Sequence, residues 1–475
     1  MTRSNNNSMD LLNRPANESS DAFTAPPVRH YFGTDGVRGV ANTELSPQQV
    51  MALGASAASV LRQNTSAAPT IIVGRDPRLS GDLLGAALMA GICSQGISVI
   101  DIGVIPTPGV AYVTQTLDAA AGVVISASHN PVQDNGIKFF GPNGKKLGDA
   151  VEAQIEAAMD SWESQPRPSG AAVGRITRTT EPVAAYAQFL TVLLTPIRLD
   201  GLKIVIDCAN GSASSVAAGV LESLGAAVVA IASTPDGINI NENCGSTHPE
   251  AMAARVIAEG ADFGMAFDGD ADRVILADEQ GRIFDGDRIL CTLGIYLASQ
   301  GRLTNRVVVG TVMSNLGLEQ ALTKHDITLV RAPVGDRYVT EQMAAHGAVI
   351  GGEKSGHILL PHLSTTGDGL LTGLQILRVC RETGRSLGSW ADEMTELPQK
   401  LVNIRVRQKE GWNEIPAVAS ALKEAEAQLK GKGRIFVRPS GTEKMIRVMA
   451  EGPEAGEVDL LVASVADAIR SHLGL

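Results

Sequence analysis

The sequence contains no apolar run near the roughly 18 residues that span a bilayer, so neither a membrane-crossing helix nor a membrane partner is expected. It also has no long basic run. Its 40 Lys and Arg stand against 51 Asp and Glu, a formal charge of −11. A nucleic-acid binder would show a basic patch or stripe, and that class of partner is set aside. Cysteine is scarce, with Cys93, Cys208, Cys244, Cys291 and Cys380 scattered and without CxxC or other metal-ligand spacing. This argues against a disulfide framework and fits a reduced, cytoplasmic protein whose thiols serve as small buried hydrophobes. Residues 1–27 lack an apolar core of signal-peptide length and are rich in Asn and Ser. They are expected to form a disordered leader rather than a targeting segment.

The 475 residues, 44% of them hydrophobic, are too many for one core, and the length prior is about three or four domains. One pattern recurs. Thr70–Val73 runs into Gly74-Arg75-Asp76-Pro77-Arg78, Lys203–Asp207 into Cys208-Ala209-Asn210-Gly211-Ser212, and Arg306–Val309 into Gly310-Thr311-Val312-Met313-Ser314-Asn315, each followed by a helical stretch. A short apolar strand, a small-residue loop and a helix make a βα unit. The spacing suits three consecutive α/β domains of related design, with mixed sheets. The end of the chain differs: Leu401–Arg407 alternates apolar and polar residues, and further strands and helices suggest a small α+β domain with a largely antiparallel sheet. The expected divisions are 28–179, 180–282, 283–392 and 393–475.

Four constellations could carry chemistry. Val123-Val124-Ile125-Ser126-Ala127-Ser128-His129-Asn130-Pro131 reads as a buried parallel strand delivering Ser128 to the loop at its carboxyl end, with Pro131 stopping any return to the sheet. Ser128, with His129 beside it, is the first candidate for a reactive residue. In Phe267-Asp268-Gly269-Asp270-Ala271-Asp272-Arg273, three alternating carboxylates can converge only around a cation. Hard oxygen donors favour Mg²⁺ or Ca²⁺ over zinc. An EF-hand is disfavoured by Arg273 where a glycine is needed and by strand-like flanks; a solvated acidic turn is the plain alternative. Gly351-Gly352-Glu353-Lys354-Ser355-Gly356-His357 offers donors and acceptors for sugar hydroxyls or an amine, or is a structural turn. Arg438-Pro439-Ser440-Gly441-Thr442-Glu443 is a phosphate cradle in miniature, or an exposed hairpin. A fifth stretch, Tyr31-Phe32-Gly33-Thr34-Asp35-Gly36-Val37-Arg38-Gly39, reads as a tight loop bearing one exposed cation, and alone it is no more than a surface turn. Together the inventory points to phosphoryl transfer on a phosphorylated sugar.

The set YFGTDGVRG, SASHNP, DGDADR, GEKSGH and RPSGTE resembles the α-D-phosphohexomutase superfamily from about Arg29 onwards. Cys244–Glu250 and Arg331–Tyr338 resemble its phosphoglucosamine branch most. The resemblance implies four domains around a central active-site cleft, with Ser128 as a phosphoserine and His129 and Asn130 shaping its loop. It implies that Asp268, Asp270, Asp272 and a Ser128 phosphate oxygen hold Mg²⁺, with Arg273 on the phosphoserine or the transferring phosphate. Proton transfer falls among Arg38, Lys138 and His357. Glu353, Ser355 and His357 would hold the sugar with Gly335 and Asp336 of the Val334-Gly335-Asp336 loop. Arg438, Ser440, Gly441 and Thr442 would grip the non-reacting phosphate. A small-molecule sugar phosphate is thus the implied partner, with a homodimer through the first domain and activation by a kinase or by autophosphorylation as further implications. The implied reaction interconverts glucosamine 6-phosphate and glucosamine 1-phosphate through a 1,6-bisphosphate, on the route to UDP-N-acetylglucosamine. Ala271, Lys444 and Lys354 depart from the family pattern; Ala271 is expected to be tolerated, Lys444 to loosen the exit of the clamp, and Lys354 to add a phosphate contact. Glucose or mannose specificity, an aspartyl-nucleophile phosphatase attacked at Asp268, and a non-enzymatic sugar-phosphate regulator are the rival readings.

Overall fold

The computed structural model describes residues 31–33, 35–62, 69–440 and 444–475. The leader expected over 1–27 and two candidate phosphate ligands, Gly441 and Thr442, lie outside the described residues.

Four sheets follow one another along the chain. The first contains β1 (Phe32–Gly33), β2 (Gly36–Val40), β3 (Thr70–Arg75), β4 (Ser98–Val104), β5 (Ala121–Ile125), β6 (Asp134–Phe140) and β7 (Ile176–Arg178). The second contains β8 (Lys203–Asp207), β9 (Ala227–Ile231), β10 (Phe263–Phe267), β11 (Val274–Ala277) and β12 (Ile283–Phe284). The third contains β13 (Val307–Thr311), β14 (Thr328–Ala332), β15 (Gly351–Gly352) and β16 (Ile358–Leu359). The fourth contains β17 (Gln399–Arg405), β18 (Arg434–Pro439) and β19 (Met445–Glu451), all antiparallel. The architecture is three α/β units with mixed sheets followed by an α+β unit.

The first three sheets share a motif. Neighbours run β4-β3-β5-β6, β9-β8-β10-β11 and β14-β13-β15-β16, parallel until an antiparallel last strand. The loop joining the third and fourth strands of each motif therefore holds the same place three times. Those loops are SASHNP, DGDADR and EKSGH. The βα connections that reveal the repeat in the sequence are different loops.

Two local expectations change. Pro131 does not keep the chain out of the sheet: Asp134 N donates to its carbonyl at 3.1 Å, and β6 begins at Asp134 beside β5. Proline removes one donor from the turn, and the ladder resumes beyond it. Nor is GVRGV a loop with an exposed cation. Gly36–Val40 is β2, paired antiparallel with β6, and Arg38 is half-buried against Asp35.

Alternate residues of β5 face opposite cores. Val124 joins a cluster reaching through Ile204, Phe267, Val308 and Leu371, which welds the first three units together. Val123 and Ile125 join Leu53 and Leu88 of helices α1 (Pro47–Arg62) and α2 (Ser80–Ser94) on the other side. The fourth unit has a separate cluster drawn from residues between Ile404 and Leu473.

Candidate active site

Ser128 sits beyond β5 with φ 53°, a left-handed conformation unusual for a residue with a side chain. Several neighbours enforce it. Ser128 N donates to Ser126 Oγ at 2.9 Å, and Ser126 Oγ donates to Asp76 Oδ2 at 2.6 Å. The buried Arg78 guanidinium donates to the carbonyls of Ser128 (2.9 Å), Asn130 (2.7 Å), Pro131 (2.5 Å) and Asp134 (3.1 Å), with Nε on Asp76 at 2.9 Å. Asn241, from the second unit, donates Nδ2 to the same Ser128 and Asn130 carbonyls at 2.9 and 3.1 Å. Gly269 lies against this peptide, where a Cβ would meet Ser128 O at 2.5 Å. The result aims Ser128 Oγ at Asp268 Oδ2, 2.5 Å away. His129 Nδ1 is 3.4 Å from Oγ, and burial with the nearby Arg273 and Arg38 lowers the imidazole to about 4.

Asp268, Asp270 and Asp272 bring one oxygen each within 4.8 Å of one another. The loop joins antiparallel strands, with Phe267 opposite Val274, and this is not the two-helix frame of an EF-hand. Ala271 has φ 57°, which explains why glycine suits the position, and its carbonyl accepts from Gly369 N at 3.0 Å. All three carboxylates are buried. Burial and its two neighbours push Asp268 well above the usual carboxylate range. Burial pushes Asp272 up as well, but Lys138 and His357 overcome it and hold the group well below that range. Asp270 Oδ1 is buried without a hydrogen-bond partner, whereas Asp272 Oδ1 faces His357 Nδ1 at 3.5 Å and Arg273 Nε at 3.7 Å. An unpartnered buried carboxylate oxygen in an all-oxygen cluster fits a hard divalent cation.

Lys138 Nζ lies 3.0 Å from Asp35, 3.1 Å from Asp270 and 3.5 Å from Asp272. Burial works against its charge, but the three carboxylates raise it above the ordinary lysine value. Arg38 meets Asp35. Beside these groups opens a cavity of about 250 Å³, lined by Arg38, Lys138, Arg273, Asp336, Glu353 and His357 among others. Glu353 Oε1 accepts from Gly335 N at 2.9 Å, which joins the two expected sugar loops. Burial opposes a charge on His357, yet Asp272 at 3.5 Å, with Asp336 and Glu353, pushes it up to about 9.

Most predicted residues therefore converge, but not all. Ser355 is exposed and does not line the cavity. Arg438 and Ser440 are at the β18–β19 turn, also away from the lining. Lys354 turns from the cavity to Asp285 (2.8 Å) and Glu396 (2.7 Å), so the expected phosphate contact gives way to a stronger local carboxylate pair. The Lys444 carbonyl accepts from Val406 N at 3.0 Å, at the entry to β19. Sequence reasoning missed Asp35, Asp76, Arg78, Thr107 and Asn241 as parts of the site. For Arg78 the available signal was its place in the βα loop beside the strand that carries Ser128; for Asp35 it was the three-residue spacing to Arg38.

The chain matches all four parts of the family described as phosphoglucomutase/phosphomannomutase: α/β/α domain I over residues 29–166, domain II over 183–281, domain III over 285–397, and the C-terminal domain over 401–468. It is 51% identical over 444 residues to a phosphoglucosamine mutase of Symbiobacterium thermophilum, covering 93% of this chain and 99% of the relative. It is 53% identical over 441 residues to one of Pelotomaculum thermopropionicum, covering 92% and 98%. A solved phosphoglucomutase/phosphomannomutase family protein of Burkholderia thailandensis has TM-score 0.75 at 22% identity, covering 93% of this chain and 99% of that one. An Aspergillus fumigatus N-acetylphosphoglucosamine mutase, solved with GlcNAc-6P and magnesium, has TM-score 0.64 at 18% identity, covering 94% and 97%. These two likenesses establish the fold. Among the described residues no helix is long and apolar enough to cross a membrane.

Proposed function

The chain belongs to the phosphoglucomutase/phosphomannomutase family and is a phosphohexomutase, and we propose that it interconverts glucosamine 6-phosphate and glucosamine 1-phosphate. The observation that carries the mechanism is the 2.5 Å contact of Ser128 Oγ with the aspartate cluster, at the edge of a cavity lined by cations and sugar-binding groups. The identity to phosphoglucosamine mutases over more than nine-tenths of the chain carries the sugar.

In this reading Ser128 works as a phosphoserine. The hydroxyl oxygen at C1 of glucosamine 6-phosphate attacks phosphorus; the new P–O bond forms as the P–Oγ bond of Ser128 breaks. The proton of the sugar hydroxyl ends on the freed Ser128 oxygen, while Arg38, Lys138 and His357, the last two kept charged by neighbouring carboxylates, oppose the charge that develops on the transferring group. The 1,6-bisphosphate turns over in the cavity, its 6-phosphate returns to Ser128, and glucosamine 1-phosphate leaves. Mg²⁺, held by Asp268, Asp270, Asp272 and a phosphoserine oxygen, would supply charge neutralisation at the transferring phosphoryl group.

The remaining work falls to the chain itself. Arg78 and Asn241 fix the serine loop, and Arg38, Lys138 and Arg273 oppose the charge of two phosphates on a protein of net −11. Glu353 and Asp336 offer carboxylates to the 2-ammonium group, and His357 orients the ring. Arg438, Ser440, Gly441 and Thr442 bind the second phosphate. All five cysteines are free thiols, which supports a cytoplasmic setting. A homodimer through the first unit, and first phosphorylation of Ser128 by a kinase or by the enzyme itself, belong to the same reading.

A coupled assay on glucosamine, glucose and mannose phosphates tests the sugar, and higher kcat/KM on glucosamine is expected. Mapping phosphate after substrate exposure tests the nucleophile. An acid-stable phosphoserine at residue 128 is expected; a labile aspartyl phosphate at Asp268 would make the protein a phosphatase.

A further inference from the structure

Besides Ser128 and Lys138, the aspartate cluster is engaged from outside its own loop by Thr107, the first residue of helix α3 (Thr107–Thr116). It belongs to the first sheet's unit, whereas Asp270 belongs to the second. Thr107 grips Asp270 twice: Oγ1 donates to Oδ2 at 2.6 Å, and the backbone N donates to the Asp270 carbonyl at 2.9 Å. Both residues are buried. Lys138 Nζ reaches the same Oδ2 at 3.1 Å but is shared with Asp35 and Asp272. The other oxygen, Oδ1, is buried and has no hydrogen-bond partner. One face of the carboxylate is saturated and the opposite one is bare.

We propose that Thr107 is a positioning residue that confines Asp270 to binding a cation through one oxygen, and so selects a small octahedral ion over a large one. The inference rests on the metal assignment made above. Mg²⁺ demands near-ideal octahedral geometry with single-oxygen carboxylate contacts, whereas Ca²⁺ accepts a carboxylate through both oxygens. While the Thr107 hydroxyl holds Oδ2, Asp270 cannot swing to offer both. Without that hydroxyl the carboxylate keeps only a shared lysine and is free to rotate. Loss of such an outer contact costs roughly 10–100-fold in metal affinity.

The test is the affinity of the full chain for Mg²⁺ and Ca²⁺ by isothermal titration, with no sugar present. It compares the native protein with Thr107→Val, Thr107→Ala and Thr107→Ser, each checked by circular dichroism. Valine keeps the shape without the donor, alanine guards against misfolding caused by valine, and serine restores the donor. We expect Val and Ala to weaken Mg²⁺ about 10–100-fold and Ca²⁺ by clearly less, lowering the Mg²⁺ to Ca²⁺ affinity ratio, with Ser close to native. Unchanged affinities, or equal losses for both ions, overturn the inference while leaving the metal assignment standing. A native protein that binds neither ion overturns the metal assignment itself.

Discussion

The corner around Ser128 and the unit that carries Arg438 are built in opposite ways. At Ser128 the important atoms are each held by more than one element: its carbonyl by Arg78 and Asn241, Asp270 by Thr107 and Lys138. Those ties cross between the first two units, whose apolar core is shared with the third. The fourth unit has its own core. It meets the third through polar contacts at a short segment: Arg434 to the carbonyls of Val312 (3.0 Å) and Ser314 (2.6 Å), Gln399 to Met313 O (3.3 Å), and Asn315 to Leu397 in both directions (2.9 and 3.0 Å). Chemistry is thus placed where nothing need move, since preorganised dipoles give most when they do not reorganise. In the proposed reading the grip on the distant phosphate falls to the fourth unit, which has its own apolar core. A bisphosphate that must present first one phosphate and then the other to Ser128 needs both properties.

The contrast can be broken most directly at Ser128. Ser128→Ala, assayed with excess glucose 1,6-bisphosphate primer, should lose on the order of 10⁴-fold or more in kcat. Turnover near the native rate would remove the serine from the chemistry. Arg434→Met tests whether the fourth unit is separate. It strips Glu451, which is fully buried, of its guanidinium partner, a loss of about 3 kcal/mol. Calorimetry should show one transition moving down while the other stays. A single transition shifting as a whole would mean that the unit is not independent.

The two regions should next differ in kind. Asn241→Ala frees one of the two donors on the Ser128 carbonyl and should lower kcat about 10–100-fold with little change in KM, as small misplacements do. Arg438→Ala should raise KM by a similar factor, from the loss of charged hydrogen bonds worth about 1.5–3 kcal/mol, and leave kcat within a few-fold. The opposite pattern in the pair would dissolve the distinction.

The smallest effect lies at the junction. Asp287 accepts from Asn315 N at 2.8 Å; burial and Asp285 push it up to about 7, with Lys354 pulling the other way. The folded protein therefore keeps a proton that the unfolded chain releases above its ordinary carboxylate pKa. This contribution to stability is whole below about pH 4 and declines as pH rises towards 7. Asp287→Asn should flatten the melting temperature against pH over that interval; an unaltered slope would assign it to other groups.

What the sequence made legible was whatever concentrates chemistry within a few residues. DGDADR and SASHNP stand out because small and polar or charged residues follow apolar runs, and the structure brings Lys138, Asp272, Arg273, Glu353 and His357 to one cavity, with the Ser128–Asp268 contact beside it. Thr107 and Asn241 were illegible for a shared reason. Each acts on a backbone carbonyl or on a carboxylate distant in the chain, and a lone threonine at a helix start or asparagine in a loop leaves no local pattern when it does so. Lys354 shows the reverse error: a cation inside a ligand-binding motif was credited to the ligand, although Asp285 and Glu396 stood close enough to claim it.

In the proposed reading of Ser128 as phosphate carrier, its left-handed backbone also restricts which residue could take its place. Threonine offers the same hydroxyl and forms an equally good phosphate ester. At φ 53°, however, a β-branched side chain is a true outlier, at a cost on the order of 1–3 kcal/mol. The added methyl would also enter a corner that is already fully packed around a residue only 1% exposed. A phosphothreonine at this position would be disfavoured by the geometry of one peptide unit, not by its chemistry.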